Sequence, residues 1–175
     1  AENEISYMAY HDHLTGLANR RLFRDRLSQA IALAKRTEKM VGVIFIDLDS
    51  FKTINDTLGH EGGDALLKIV SEKLLNTVRQ SDTVSRFGAD KFLVMINNLS
   101  HQSDMIHTIE NMMLILNQPL LVEGQEFNLT TSAGIAIYPF DGTETDSLIK
   151  NADIALYKAK EKGKNQYVLC SSDLK

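Results

Sequence analysis

The sequence predicts an α+β sandwich: one sheet, part antiparallel, with helices packed mainly on its faces. Three observations carry this. Strand-like and helix-like segments are mixed along the chain, a hairpin signal stands midway, and the composition closes a single core. The 175 residues, 43% hydrophobic and 24% charged, match one ordinary globular domain.

Taken in order, Leu17 to Arg36 places Leu22, Leu27, Ile31 and Ala34 near helical spacing, which reads as an amphipathic helix. Val41 to Asp49 is a short apolar run with β-branched residues, read as a buried strand ending in two carboxylates. Asp64 to Thr77 repeats Leu66, Leu67, Val70, Leu74 and Leu75 at helical offsets and predicts a second helix. Two apolar arms from Ser85 to Ile96 flank Gly88-Ala89-Asp90-Lys91, a hairpin that argues against a doubly wound parallel sheet. A third helix is predicted over Asp104 to Leu116, β structure over Glu126 to Tyr138, a fourth helix over Glu144 to Lys162, and a short strand over Gln166 to Leu169. Residues 1–175 read as one domain, with 1–10 and 171–175 as linker ends of a larger protein.

Charge and cysteine content narrow the function. A net charge of −4 gives no basic field for DNA or RNA, so no nucleic-acid partner is expected. Cys170 stands alone, which excludes an internal disulfide and fits a reducing cytoplasm. The longest apolar run, Val41 to Ile46, is too short to span a bilayer. A cytoplasmic domain is therefore expected, whose parent protein is free to be membrane-anchored.

Several constellations suit phosphoryl chemistry. Asp47 and Asp49, two apart at a strand end, leave the sheet on one side, and hard carboxylates suit Mg²⁺ or Mn²⁺; a solvated strand end is the alternative. Asp90 at the hairpin tip could lie beside Asp47 and complete a metal-assisted phosphoryl-transfer pair, or be an ordinary polar turn. Lys160 and Lys164, four apart on the last predicted helix, could share a face and grip a triphosphate, with Lys52 as a further contact; a cationic helix end is the bland reading. Asn55 and Asp64 supply the amide and carboxylate that read a guanine edge, or else a turn and a helix N-cap. The five histidines have no Cys companions and no HExxH spacing and read as surface or structural.

Together these segments resemble a GGDEF domain, the diguanylate cyclase family of bacterial cyclic di-GMP signalling. The resemblance runs through HDHLTGLANRR from His11, FIDLDSFKTINDTLGHEGGDALL from Phe45, RFGADKF from Arg86, SAGIAIYP, and NADIALYKAKEKGKNQY. It implies a mainly antiparallel sheet wrapped by helices, like the palm of nucleotidyl cyclases. It also implies one GTP per domain and a face-to-face homodimer in which each 3′-hydroxyl attacks the other nucleotide's α-phosphate. Carried over by position, Asp47, the Leu48 carbonyl and Asp90 hold the metal. Asn55 and Asp64 hold guanine, and Lys52, Lys160 and Lys164 contact phosphates. Lys164 stands where Arg is usual, which replaces a bidentate contact by a point charge. Arg79 and Asp82 match an RxxD inhibitory site for cyclic di-GMP, although His101 to Asn117 lacks the Arg that usually completes it.

The signature loop departs from Gly-Gly-Asp/Glu-Glu-Phe: it reads Gly88, Ala89, Asp90, Lys91, Phe92. If Ala89 must adopt a positive φ, it costs roughly 1–2 kcal/mol. Lys91 reverses the usual Glu, and a unit charge pair at about 5 Å in an effective dielectric near 20 is worth about 3 kcal/mol. A degenerate domain is expected, binding GTP or cyclic di-GMP in a regulatory role with weak or no cyclase activity. An active cyclase that tolerates both changes is the alternative, and a purely structural unit the third reading. The resemblance also implies an upstream sensor and a following EAL phosphodiesterase domain.

Overall fold

A computed structural model describes residues 7–170. Of the expected linker ends, 1–6 and 171–175 lie outside the described residues, while residues 7–10 are helical. The elements run α1 (Arg20–Thr37), β1 (Met40–Leu48), α2 (Phe51–Leu75), β2 (Thr83–Arg86), β3 (Lys91–Leu99) and α3 (Gln102–Leu116). They continue with β4 (Leu120–Val122), β5 (Gln125–Phe127), β6 (Thr131–Tyr138), α4 (Thr145–Glu161) and β7 (Tyr167–Leu169).

Five strands form one sheet in the order β2-β3-β1-β6-β7, antiparallel except for the β6–β7 pair. The central strand β1 is covered on both faces, which is why its residues read as an unbroken apolar run. Period-two alternation divides it between two cores. Val41, Val43 and Phe45 pack with Phe23 and Leu27 of α1 and Leu148, Ala152 and Leu156 of α4. Ile44, Ile46 and Leu48 pack with Leu66, Val70 and Leu74 of α2 and Met105, Ile109 and Met112 of α3.

Local chemistry sets the ends of these elements. Asn19 caps α1 by accepting from the Leu22 amide at 3.0 Å. At Gly134 of β6 an added Cβ would lie 2.1 Å from the Ala152 carbonyl oxygen and the Leu156 nitrogen, so α4 rides directly on the strand backbone.

Two expectations change. The second helix begins at Phe51, not Asp64, because Gly59 at φ 79° lets two helical limbs join across a kink that periodicity alone does not reveal. The stretch expected from Glu126 is divided: β4 and β5 pair as a separate hairpin, turning through Glu123 and Gly124, both at positive φ, and β6 alone joins the main sheet.

Candidate nucleotide and metal site

Asp47 is the penultimate residue of β1 and only 3% exposed. Its Oδ2 pairs with the Lys160 ammonium on α4, and its Oδ1 is buried without a hydrogen-bond partner. The hairpin brings Asp90 alongside: the Leu48 amide donates to the Asp90 carbonyl at 3.2 Å. Burial first, and the negative charge of Asp47 second, raise the Asp90 carboxyl above its ordinary value, against the opposing pull of Lys160.

Two carboxylates that repel each other, one with an orphaned oxygen, fit a divalent cation. Among the described residues no three His, Cys, Asp or Glu side chains form a cluster able to hold a metal ion. Asp47, Asp90 and the Leu48 carbonyl would thus leave several positions to phosphate and water, the habit of Mg²⁺ or Mn²⁺. Asp49 does not share this role. Its carboxylate accepts from Thr130 Oγ1 and Ser132 Oγ, both at 2.8 Å, and from the Asn165 amide at 3.1 Å. It ties the end of β1 to β6 and to the turn after α4.

The kink in α2 positions the guanine candidates. Asn55 lies on its first limb and Asp64 on its second. An added Cβ at Gly63 would meet Asn55 Oδ1 at 2.0 Å, so the amide rests on the backbone next to Asp64. Both residues are therefore helical; Asn55 is not in a turn and Asp64 is not an N-cap. Lys52 is exposed in the first turn of α2.

Lys160 and Lys164 do not share a helix face. Helix α4 ends at Glu161, and Lys164 sits in the following turn at φ 64°, its amide donating to the Ala159 carbonyl at 3.0 Å. The Gly163 position breaks the helical spacing that the sequence suggested.

The signature loop is unstrained. Neither Gly88 nor Ala89 has a positive φ, so the conformational cost expected for Ala89 does not arise, and its side chain is exposed. Lys91 stands directly across from Asp47 in the β1–β3 register and hence on the same face of the sheet.

Sequence reasoning assigned no role to the residues that hold this loop. Arg86 Nε donates to the Gly88 carbonyl and its Nη2 to the Ala89 carbonyl, both at 3.1 Å. Its Nη1 pairs with Asp12 at 3.4 Å. Burial pushes the Asp12 carboxyl up, but hydrogen bonds from Thr15 and the charge of Arg86 outweigh it and hold the group below its ordinary value. The signal was present as the DxLT run before α1 and the Arg before Phe87, but the pairing spans 74 positions.

Arg79 and Asp82 do meet. Arg79 Nε and Nη2 each donate to the Asp82 carboxylate at 3.2 Å, and the Asn97 amide donates to it at 3.1 Å. Asp82 is buried, whereas the Arg79 side chain is 53% exposed. Helix α3 contains no Arg or Lys; Arg26 of α1 lines the adjoining 330 Å³ cavity instead.

The sequence and the fold both have known counterparts. Residues 9–166 match the family model described as "Diguanylate cyclase, GGDEF domain". The bifunctional diguanylate cyclase/cyclic di-GMP phosphodiesterase MucR of Pseudomonas aeruginosa is 40% identical over 174 residues, 99% of this chain. The chain spans only 25% of MucR's length. The solved GGDEF domain of TpbB (YfiN) from P. aeruginosa superposes with a TM-score of 0.89 at 35% identity, covering 91% of this chain and 94% of that one. The coiled coil and GGDEF domain of DgcB from Caulobacter crescentus, solved in complex with c-di-GMP, gives 0.87 at 27% identity, covering 96% and 89%. A match that runs through nearly every element, from the segment before α1 to the turn after α4, places this chain in the GGDEF domain family of cyclic di-GMP signalling.

Proposed function

We propose that this is a degenerate GGDEF domain that binds GTP with Mg²⁺ or Mn²⁺, or binds cyclic di-GMP at Arg79 and Asp82, as a regulatory signal, with weak or no cyclase activity. The observation that carries the reading is the placement of Lys91 directly across from Asp47, which Lys160 already pairs. A second cation on that face weakens the attraction of the two carboxylates for a divalent ion. Apart from Lys164 in place of the usual Arg, the other candidate nucleotide and metal residues match the family positions. Asn55 and Asp64 would select guanine, Lys52, Lys160 and Lys164 would neutralise phosphate, and Asp47, Leu48 and Asp90 would hold the metal. When bound, the metal would offset phosphate charge and lower the pKa of a coordinated hydroxyl.

One observation favours the alternative, an active cyclase condensing two GTP across a homodimer: the loop carries Ala89 without strain. The relationship to MucR, a bifunctional diguanylate cyclase/cyclic di-GMP phosphodiesterase, supports a parent protein with a fused phosphodiesterase domain; an upstream sensor is part of the same proposal. That parent would act in the cytoplasm or at the inner face of a membrane.

Calorimetric titration with GTP and Mg²⁺, with cyclic di-GMP assayed in the same samples, separates the readings. Binding without product is expected. Lys91→Glu should then raise product at least about tenfold, the effect of removing one repulsion of about 1.4 kcal/mol or more. Ready turnover by the unmodified domain would overturn the degenerate reading. Absence of binding to GTP, and to cyclic di-GMP in a second titration of the same kind, would leave a structural unit.

A further inference from the structure

A cavity of about 540 Å³ opens behind the signature hairpin, between α1 and α4, on the face of the sheet that carries Phe45 and Lys91. Neither the metal candidates Asp47 and Asp90 nor the guanine candidates Asn55 and Asp64 line it. Its wall contains Arg20, Arg24, Lys91 and Lys150 against two carboxylates, Asp146 and Asp153. In a chain of net charge −4 this concentration of cations runs against the overall sign.

The cations differ in how far they are committed. Arg24 is paired with Asp146. Arg20 donates Nε to the Phe87 carbonyl at 2.7 Å and lies 4.4 Å over the Phe87 ring, so its guanidinium is fixed at the rim. Its two Nη groups donate no hydrogen bond to the described residues, and neither Lys91 nor Lys150 makes an ion pair among them. Phe87 is in turn held edge-on by Phe45, with ring centres 5.4 Å apart. Two ammonium groups without an ion pair and the Arg20 guanidinium, fixed at the rim with its Nη groups available, thus face Asp153, which has no ion pair among the described residues, around a preformed space with an aromatic wall. An acidic residue at position 91, the usual signature, would cancel that excess of positive charge and set a carboxylate at the cavity mouth.

We propose that this cavity is an anion site for a diphosphate or triphosphate group, separate from the metal-dependent nucleotide site and created by Lys91 together with Arg20 and Lys150. The Arg20 Nη groups would supply charge-assisted hydrogen bonds in a fixed direction, and the two ammonium groups would close on the remaining oxygens. Free pyrophosphate and the tail of a nucleotide share this chemistry.

The test removes metal so that the neighbouring site is silent. Pyrophosphate is titrated into the ¹⁵N-labelled domain in EDTA, following amide shifts and heat. Saturable binding is expected, with the largest shifts at Phe87, Gly88, Ala89 and Lys150. Lys150→Glu and Lys91→Glu should each weaken it roughly tenfold to a hundredfold, the effect of losing one charged hydrogen bond. Lys52→Ala with Lys164→Ala, on the other site, should leave it unchanged. Melting curves verify that each variant folds; Lys150 is an exposed helix residue, so its variant keeps the test valid if Lys91→Glu does not fold. No saturable binding, equal loss in both sets, or loss only with Lys52 and Lys164 overturns the proposal. Repeating the titration with GTP in an Asn55→Ala background, still in EDTA, distinguishes the sources: retained binding identifies a nucleotide tail, and pyrophosphate binding alone identifies the free anion. Because no arm depends on Mg²⁺ or on guanine recognition, the outcome is independent of the function proposed above.

Discussion

Asp12 shows how a residue outside the candidate metal and guanine residues can set the signature loop's geometry. It anchors Arg86, whose guanidinium holds the Gly88 and Ala89 carbonyls. Hydrogen bonds from Thr15 and the Arg86 charge hold its carboxyl below the ordinary value of 3.8 despite burial. A carboxyl with a depressed folded-state pKa contributes stability that is fully present above the unfolded value. That stability is lost as pH falls through the folded value. Asp12→Asn should therefore lower the melting temperature at pH 7, and the gap from the unmodified domain should close as pH drops below about 3.8. Melting curves across a pH series check this. A gap of constant size would mean that the Asp12 charge is irrelevant and that the loss of an acceptor oxygen facing Thr15 and Arg86 accounts for the effect.

At the scale of elements, glycine spacing decides what each helix can approach. In α2, Gly63 lets the Asn55 amide lie against the backbone, and the obstructing atom is the end of a side chain, which is free to swing away. Gly63→Ala should thus weaken GTP affinity about tenfold by displacing Asn55. The melting temperature should stay level or rise, since Ala is the better helix former by about 1 kcal/mol. Calorimetry and thermal melts on one sample separate the effects; loss of fold together with affinity would contradict the geometry. Gly134 presents the opposite case, because its neighbours are α4 backbone atoms that cannot move alone. The same contrast explains what was legible in the sequence. The buried strand β1 and the helices α1, α3 and α4 carry local apolar patterns, and the hairpin carries its turn residues. The kink at Gly59, the exit of Lys164 from the helix, the commitment of Asp49 to Thr130 and Ser132, and the Asp12–Arg86 clamp depend on backbone angles or on distant partners. Periodicity does not contain them. The placement of Asp47 beside Asp90 was legible because a strand end and a hairpin tip on neighbouring strands must converge.

Across the whole molecule, the candidate site draws on both layers. Asp47 faces the core shared with α1 and α4, while Asn55 and Asp64 belong to α2 on the other face of the sheet. A ligand that spans β1, α2, the signature hairpin and the turn after α4 would connect elements held in separate cores. It would therefore stabilise the domain as a unit, and ligand binding to the folded state alone should appear as a raised melting temperature. At a hundredfold excess over its dissociation constant GTP with Mg²⁺ contributes about 2.7 kcal/mol, which for a domain of this size shifts melting by roughly 5–10 °C. Asp47→Asn should remove most of the metal-dependent part of that shift, because it takes away the charge that an added cation would satisfy. GTP without metal should retain a smaller one through Asn55, Asp64 and the lysines. If neither GTP nor cyclic di-GMP shifts the melting curve, the site lacks a ligand despite its geometry, and the fold serves as scaffold; if only cyclic di-GMP does, Arg79 and Asp82 carry the signal and the face around Asp47 is silent.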